Sequence, residues 1–213
     1  VLWAKNGSHP RADIARSVAA DASGNIYMTG YFYGSAMAFG TYTLTNTSVT
    51  TPPVSDPEGV DMFLVKYDAS GNVLWAKSAG GREHEYGLAV SLVSGDVYIG
   101  GYFSSNSFAV GTFTLTNANT NTTNDIFIAK YDVNGNEIWA NSAGGTNWDY
   151  LSAINTDASG NLYVSGQYQS ISMSFGSNTL LNMGTYDGFL AKYDVLGNSL
   201  WAVNVGGDAN DNV

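Results

Sequence analysis

Cysteine is absent from this 213-residue chain, and charged side chains make up only 12% of it. The lack of cysteine excludes disulfide bonds and thiol catalysis, although it fits bacterial secretion as well as a cytosol. Eight basic residues stand against eighteen acidic ones, which gives a net charge of -10. Such a surface repels phosphate backbones and anionic lipid. Nucleic acids and membrane surfaces are therefore disfavoured as partners.

No apolar run approaches the roughly 18 residues of a membrane span, and no signal peptide opens the sequence. Val1 begins in mid-motif, so we expect a mature piece or a fragment, and the missing targeting signals mean little. The hydrophobic share of 44% is ordinary for a folded protein. At this length we expect a single domain, residues 1–213, that buries about 70% of its unfolded surface.

Tryptophan recurs in one sequence frame along the chain. The frames read VLWAK, VLWAK, EIWAN and SLWAV, and they lie 62 to 72 residues apart. Self-similarity of this kind indicates one structural unit that is copied along the chain. We divide the chain into repeats at about 1–72, 73–136 and 137–198, with a partial repeat at 199–213. The four tryptophans are Trp3, Trp75, Trp139 and Trp201.

Each repeat contains four short runs of β-branched and aromatic residues with alternating polarity, which predicts strands rather than helices. In the first repeat these runs are Ile14–Ala20, Asn25–Phe32, Asp61–Asp68 and Val73–Ser78. Most hairpin turns read Asp-x-x-Gly-Asn, which suits a type I turn with a capping aspartate and a glycine at positive φ. A further short pattern between the second and third runs predicts a small extra hairpin in each repeat, at 38–44, 109–115 and 174–180.

Four antiparallel strands, repeated and joined by Gly-Gly linkers, predict an all-β fold of β-propeller blades. We expect three blades plus one extra outer strand at Val1–Lys5, within a larger propeller. Propellers close with about four to eight blades, so three alone would leave open edges. A segment of a longer propeller, a ring assembled from several chains and an open stacked array all remain possible explanations.

The repeated motif resembles a known family. The pattern F[LI][VA]KYD-x-x-GN-x-[LI]WA, followed by D-x-SGN-[IL]Y, is similar to the SBBP-type β-propeller repeat, and the resemblance covers nearly the whole chain. That family occurs in secreted and surface proteins of bacteria, often substrates of type IX secretion. The resemblance therefore implies a propeller in an extracellular or cell-surface setting. It implies no reaction and no fixed ligand, because propellers host many unrelated functions.

Carboxylates recur at two positions of the repeat and form the candidate site. One lies ten residues after each tryptophan, and the other precedes each third strand. We expect both sets on one face of the propeller, where they either bind a cation such as Ca²⁺, orient a ligand, or cap backbone amides of the neighbouring blade. No other cofactor is indicated. The first set is Asp13, Glu85, Asp149 and Asp211, and the second is Asp61, Asp125 and Asp187.

Repeated aromatic and basic residues are expected to serve packing rather than binding. The tryptophans occupy equivalent strand positions, which favours contacts between blades. Lys66, Lys130 and Lys192 each lie two residues before a turn aspartate, on the same side of the strand. We therefore expect a local ion pair there, with the aliphatic stem of each lysine buried.

Two loops differ between the repeats, at 45–59 and 116–124, and scaffold repeats often use such loops to contact partners. They predict binding of a protein or a glycan, or else a solvated spacer. No catalytic or phosphate-binding motif recurs. We therefore expect a non-catalytic extracellular module for recognition, adhesion or scaffolding. The alternatives are a polysaccharide-acting enzyme that uses the carboxylates, and a structural spacer or filament subunit.

Overall fold

The computed structural model describes residues 13–48, 59–120 and 123–207, and all regular structure in these ranges is β-strand. Three four-stranded antiparallel sheets, the blades, follow one another along the chain, as predicted. Blade 1 contains β1 (Asp13–Ala20), β2 (Ile26–Phe32), β5 (Asp61–Tyr67) and β6 (Val73–Ala79). Blade 2 contains β7 (Glu85–Val93), β8 (Asp96–Phe103), β11 (Asp125–Tyr131) and β12 (Glu137–Ala143). Blade 3 contains β13 (Asp149–Thr156), β14 (Leu162–Tyr168), β17 (Asp187–Tyr193) and β18 (Ser199–Val205).

The extra hairpin predicted in each repeat is present, and it lies against the fourth strand of its own blade. In blade 1 the Tyr42 hydroxyl donates a hydrogen bond of 2.6 Å to the Leu74 carbonyl. The hairpin is inserted between the second and third strands in sequence. These two strands still pair with each other, so the four-stranded sheet is unbroken. The hairpins are β3 (Ala36–Phe39) with β4 (Tyr42–Thr45), β9 (Ser107–Val110) with β10 (Phe113–Thr116), and β15 (Ser172–Phe175) with β16 (Asn178–Leu181).

Two of the three buried hydrophobic clusters lie between blades, and the third lies between blade 1 and its own hairpin. Leu64 of blade 1 and Ile99 of blade 2 belong to one buried cluster, and a second cluster joins blade 2 to blade 3. Both faces of the third strands are covered, so every residue of β5 and β11 is buried. Each fully buried large side chain contributes about 1.5–3 kcal/mol. Blade-to-blade contact is therefore a main source of stability.

The Asp-x-x-Gly-Asn turns are built as predicted. In the first of them, Asp21 Oδ1 accepts hydrogen bonds from the backbone N–H groups of Ser23 and Asn25, each at 2.9 Å. Gly24 has a φ of 79°, and the same combination recurs in the other four turns of this pattern. The shorter sixth loop turns at Ser94 and Gly95, both at positive φ. This geometry suits a two-residue hairpin.

A pair of donors joins each blade to the next one. Trp75 Nε1 and Lys66 Nζ of blade 1 both donate to the Val133 carbonyl in the last turn of blade 2, at 3.1 Å. In the same way Trp139 Nε1 and Lys130 Nζ donate to the Val195 carbonyl of blade 3, at 3.1 and 3.3 Å. We call this arrangement the blade clamp. The prediction that the tryptophans pack between blades is confirmed at these two junctions.

The sequence predicted the wrong partner for the ion pair of the repeated lysines. Lys130 pairs at 2.7 Å with Asp96, in the first turn of its blade, and not with Asp132 in the turn that follows it. Asp132 already accepts hydrogen bonds from the Asn134 and Asn136 backbones and from the Asn136 side chain. The lysine therefore crosses the sheet to a different carboxylate.

Several sequence predictions lie outside the described residues. They are the extra outer strand at Val1–Lys5, which contains Trp3, the acid Asp211, and most of the first variable loop, residues 49–58. The repeat division begins at the tryptophan strand, whereas the blades run from the first to the fourth strand of a sheet. Whether the propeller continues, and how it closes, stays a prediction.

The blade clamp predicts a specific cost for one glycine substitution. Gly135 has a φ of 81°, and an added Cβ would lie 2.9 Å from the Trp75 indole ring. Gly135→Ala combines backbone strain with this clash, so we expect it to lower the free energy of unfolding by ~2 kcal/mol. Urea unfolding monitored by tryptophan fluorescence measures the change.

Gly95→Ala is the matched control, because Gly95 has a φ of 89° but no atom within 4 Å of its added Cβ. We expect it to cost only the backbone strain, ~1 kcal/mol. Equal losses in the two variants would contradict a tight contact between the turn and the indole.

Candidate functional site

Every predicted site acid that the structure describes stands at the first residue of a strand. The two sets meet at the junctions between blades, where the fourth strand of one blade passes into the first strand of the next. Asp211 lies outside the described residues. Asp13 begins β1, Asp61 begins β5, Glu85 begins β7, Asp125 begins β11, Asp149 begins β13 and Asp187 begins β17.

The first junction, between blades 1 and 2, brings Asp61 and Glu85 together. Asp61 Oδ2 accepts the Thr47 N–H at 2.8 Å and the Thr47 hydroxyl at 3.0 Å. Glu85 Oε2 accepts the N–H of Gly81 at 2.7 Å. A Cβ on Gly80 would overlap the Asp61 carboxyl, so the linker glycine makes room for it. Both carboxyls are fully buried.

The second junction, between blades 2 and 3, repeats this arrangement. Asp125 Oδ2 accepts the Ala118 N–H at 2.7 Å. Asp149 Oδ2 accepts the Gly145 N–H at 2.8 Å and the Ser170 hydroxyl at 2.9 Å. The acids thus cap amides of their own linker and loop, whereas the capping role, one of the three that we considered, assigned them to amides of the neighbouring blade. The reason is that strand starts, linkers and loop ends all converge at this end of the blades.

The second set of acids also fixes the bases of the loops between the second and third strands. Asp187 Oδ2 accepts the Met183 N–H at 2.9 Å, as Asp61 and Asp125 accept those of Thr47 and Ala118. A recurring asparagine completes each loop base. The Asn117 side chain, for example, donates 2.7 Å to the Thr123 carbonyl. The other members of this asparagine set are Asn46 and Asn182.

One oxygen of several of these carboxyls is buried without a hydrogen-bond partner among the described residues. These atoms are Asp61 Oδ1, Glu85 Oε1, Asp125 Oδ1 and Asp187 Oδ1. Burial, with a smaller contribution from the nearby Asp61 charge, raises the pKa of Glu85 to about 8. Ionised carboxylates cannot be left unpaired in such a site without a large cost. A bound proton is therefore the simplest way to satisfy the site near neutral pH.

The other acids of the two described junctions shift in the same direction. Burial raises the pKa of Asp61 to about 6 and that of Asp125 to about 7, and the Asp149 charge adds to the Asp125 shift. Burial raises the pKa of Asp149 to about 7, against its own hydrogen bonds with Ser170. Each junction therefore holds two buried carboxyls that resist ionisation.

Calcium binding at these acids stays a prediction. Within residues 13–48, 59–120 and 123–207, no three or more His, Asp or Glu side chains come together as metal ligands. Calcium takes six to eight oxygen ligands, so a two-carboxyl junction would need most of them from backbone carbonyls and water.

A row of half-buried tyrosines, which the sequence reasoning missed, lies at the same end of the blades. Four rings follow one another: Tyr31 of blade 1, Tyr86 and Tyr102 of blade 2, and Tyr150 of blade 3. The centroid distances between successive rings are 4.7, 4.9 and 5.1 Å. Two of these steps cross from one blade to the next. We call these four residues the tyrosine row.

The tyrosine row breaks the symmetry of the repeats. Tyr86 and Tyr102 are paired across blade 2, whereas the same pair is Ile14 and Tyr31 in blade 1 and Tyr150 and Gln167 in blade 3. An alignment of the three repeats at these positions would have shown the signal. The acids, in contrast, recur in every repeat, and such recurrence favours a structural role.

Polar and aromatic groups border the tyrosine row. The Asn124 side chain, at the end of the second variable loop, lies within hydrogen-bonding reach of the Tyr150 hydroxyl. Trp148 is 45% exposed two residues before Tyr150. The charge of the exposed Arg16 acts on Tyr102. Burial raises the pKa of Tyr86 to about 12, so its hydroxyl stays protonated and can donate a hydrogen bond.

Comparison with known proteins supports the fold more than the function. No family model matches the chain. Over 159 residues, 72% of the chain, it is 30% identical to the Regulatory protein FlaEY of Caulobacter vibrioides. Over 91% of the chain it is 25% identical to an uncharacterized WD repeat-containing protein of Acanthamoeba polyphaga mimivirus. The chain spans only 16% and 17% of the length of these curated relatives.

The blades and the WD-repeat relative together define a propeller-type repeat fold. Membership of the SBBP family is not established by these comparisons. In the part of the chain that the structure describes, no helix is long and apolar enough to span a bilayer.

The buried acids predict that stability falls as the pH rises. A carboxyl whose pKa is higher in the folded state than in the unfolded state binds its proton more tightly when folded, so its contribution is lost as the pH rises through the folded value. For Glu85 that loss extends up to about pH 8. Between about pH 5 and pH 8 the free energy of unfolding of the wild type should therefore fall. We expect Glu85→Gln to make this fall smaller by on the order of 2 kcal/mol.

Chemical denaturation at a series of pH values measures this slope. Glu83→Gln is the matched control, since Glu83 is an exposed acid two residues away. A slope that is the same in wild type and Glu85→Gln would contradict proton uptake at the first junction. Below about pH 4 the turn aspartates act in the opposite direction, because their hydrogen bonds with the turn asparagines lower their pKa.

The calcium prediction has its own test. A ligand that binds only the native state raises the melting temperature by mass action. If the acids bind Ca²⁺, millimolar Ca²⁺ should raise the melting temperature relative to EDTA, and Asp149→Ala combined with Asp187→Ala should abolish the shift. Identical melting in Ca²⁺ and EDTA would contradict a cation site and leave the capping role.

Proposed function

We propose that this chain is a non-catalytic recognition module that binds another protein through the tyrosine row. The observation that carries the proposal is the break in repeat symmetry at this row. A residue that serves the scaffold is needed equally in every blade, as the turn aspartates and clamp tryptophans are. A group of half-buried rings confined to neighbouring junctions serves something other than the scaffold.

The chemistry of the row and its border suits a protein partner. Tyrosine, tryptophan and arginine are the residues that most often dominate the binding energy of protein interfaces. Here Trp148 lies two residues before Tyr150, the charge of Arg16 acts on Tyr102, and the hydroxyls of Tyr31, Tyr86 and Tyr102 make no hydrogen bond to any described residue. Each of these three rings therefore offers an apolar surface together with a free polar group.

The row is also held in place before any partner arrives. Tyr31 meets Tyr86 edge-on at 82°, and Tyr102 meets Tyr150 at 88°. Edge-to-face contacts are a favoured arrangement of aromatic rings. Because packing already restricts the side chains, binding a partner would cost them little conformational entropy.

The second variable loop ends beside the row at Asn124, and the variable loops would add selectivity. The recurring acids and asparagines fix the bases of these loops, so their sequences can differ without disturbing the blades. The names of the two relatives, a regulatory protein and a WD repeat-containing protein, are consistent with an interaction role for those proteins. An extracellular or cell-surface setting, with adhesion as the outcome, rests on the SBBP resemblance and remains part of the proposal.

The geometry disfavours the polysaccharide-acting alternative. A glycosidase needs two carboxyls that reach the substrate from either side of the scissile bond. Asp61, Glu85, Asp125 and Asp149 are instead almost completely buried, and they are occupied with linker and loop amides. A substrate in the mouth of the propeller would not contact them.

Selection from a peptide-display library on the immobilised chain tests the proposal. We expect the selected peptides to compete for one surface and to lose at least about tenfold in affinity with Tyr102→Ser, as for a central interface residue. Tyr42→Ser is the matched control, since Tyr42 is an exposed tyrosine on an outer hairpin.

Tyr102→Phe keeps the ring and serves as a check that the blades are intact. A glycan array run in parallel separates the partner classes. Peptides that bind Tyr102→Ser as tightly as wild type would overturn the assignment of the site. Binding confined to glycans would overturn the assignment of a protein partner.

A further inference from the structure

The blade clamp occurs twice in the structure with nearly the same geometry. Two donors, a tryptophan Nε1 and a lysine Nζ, converge on one backbone carbonyl of the next blade at 3.1 to 3.3 Å. That carbonyl always belongs to the second residue of an Asp-x-x-Gly-Asn turn. A carbonyl oxygen has two lone pairs and can accept both bonds.

The clamp also leaves no room for a side chain at the fourth position of the turn, so this residue is glycine. An added Cβ on Gly135 would lie 2.9 Å from the Trp75 ring, and one on Gly197 would lie 2.9 Å from the Trp139 ring. The glycine is thus pressed against the indole of the preceding blade. Together the carbonyl and the glycine form a recognition signature: Asp-x-x-Gly-Asn with the second carbonyl and the bare glycine facing the donor blade.

A third clamp is built in blade 3. Lys192 Nζ lies 5.0 Å from the Tyr163 ring centre, compared with 5.0 and 5.3 Å in the first two clamps. The Tyr163 and Trp201 rings are 6.2 Å apart, compared with 6.0 Å in both others. Yet within the described ranges no acceptor is bound to Trp201 Nε1, and no turn carbonyl is bound to Lys192.

The face around the third clamp is correspondingly open. Val203 and Val205, which alternate with Trp201 along the same face of β18, are 46% and 44% exposed. The matching face of blade 2 is covered by blade 3, and there Trp139 is only 8% exposed and Ile128 1%. An apolar strand face of this kind is normally covered by a neighbouring sheet.

We propose that this face of blade 3 docks the last turn of a further repeat that carries the Asp-x-x-Gly-Asn signature. The carbonyl of the second turn residue accepts hydrogen bonds from Trp201 Nε1 and Lys192 Nζ. The turn glycine lies on the Trp201 indole, and the rest of the incoming blade covers Val203 and Val205.

The occupant is a repeat beyond the three described here rather than a second copy of them. The Val133 and Val195 carbonyls are already taken by Trp75 and Trp139. Ala69, the matching residue of the first turn, is also engaged in a polar interaction. The last turn of every blade in a second copy is therefore already engaged, which disfavours a second copy as the occupant.

The third clamp differs from the others at the residue that lies two positions after the tryptophan. This difference bears on which repeat the clamp accepts. Asn141 of blade 2 donates 2.8 Å to the Gly197 carbonyl, and Lys77 of blade 1 lies 3.6 Å from Glu137. Val203 stands at this position in blade 3. The incoming repeat is therefore held there by apolar contact, without the polar bond.

Indole N–H exchange in the intact chain gives the first test. Exchange with solvent reports how often a hydrogen-bonded group opens. We expect the Trp201 indole N–H, identified with Trp201→Phe, to exchange several-fold faster than those of Trp75 and Trp139. Equal protection of all three would overturn the statement that the third clamp is open.

The second test supplies the turn in trans. The probe is a backbone-cyclised hairpin that copies residues 125–143, with its hairpin structure verified by NMR beforehand. We expect it to shift the Trp201 indole resonance and slow its exchange, while the same hairpin with the turn Gly→Ala has no effect. A shift that the Gly→Ala hairpin reproduces, or no shift from the verified hairpin at millimolar concentration, would overturn the proposal.

Light scattering distinguishes the occupant. We expect Trp201→Ala to leave the molar mass of the chain unchanged, since the proposal assigns this face to a further repeat. An assembly of wild-type chains that Trp201→Ala dissociates would overturn the choice of a further repeat over a second copy.

Discussion

The convergence of an indole N–H and a lysine ammonium on one turn carbonyl is the interaction on which the rest of the structure depends. Neither blade face is stable alone, because a four-stranded sheet with both faces apolar needs cover on both sides. The clamp fixes how one blade sits on the next. It uses a turn whose conformation is already fixed by its own aspartate and glycine. Local turn chemistry thereby sets long-range geometry.

This dependence gives the protein the character of a chain of coupled units. Each blade contacts its neighbours, and two of the three buried clusters cross from one blade to the next instead of forming one central core. In such arrays stability is roughly a sum of unit and interface contributions. Among the described residues Trp201 has no turn to hold, whereas Trp75 and Trp139 each hold one. The apolar face around Trp201 is also the most open of the described clamps.

The buried acids show a second constraint, which works against stability. The first and third strands of all three blades begin with a carboxyl, and the carboxyls at the two described junctions are removed from water and partly unpaired. Such groups are costly unless they are neutral or well hydrogen-bonded. Their hydrogen bonds fix the backbone of the loops and linkers at one end of the blades. Asp61, Asp125 and Asp187 fix the loop bases, and Glu85 and Asp149 fix the glycine linkers.

The sequence predicted the strands, turns and hairpins well because each depends on nearby residues. Asp21 and Gly24 fix the conformation of a turn that is only five residues long. The alternation of polar and apolar residues determines which face of a strand is apolar. The partner of Lys130 was wrong because the choice between Asp96 and Asp132 depends on which carboxylate is already occupied. That is a property of the folded sheet. The tyrosine row was missed for a similar reason, since Tyr31 and Tyr86 become neighbours only when two blades stack.

Repetition and its interruptions therefore carry different information in this molecule. Acids, turn glycines and clamp residues recur because every blade has the same mechanical need. A surface that binds a partner is a single region of the folded protein. Its residues therefore need not occupy equivalent positions in the repeats. The tyrosine row has this form: it uses Tyr31 from one blade, a pair from the second and Tyr150 from the third. In blade 1 the position of Tyr86 is an isoleucine, and in blade 3 that of Tyr102 is a glutamine. The row therefore spans two junctions and belongs to no single repeat, as expected of a surface shaped by what it binds.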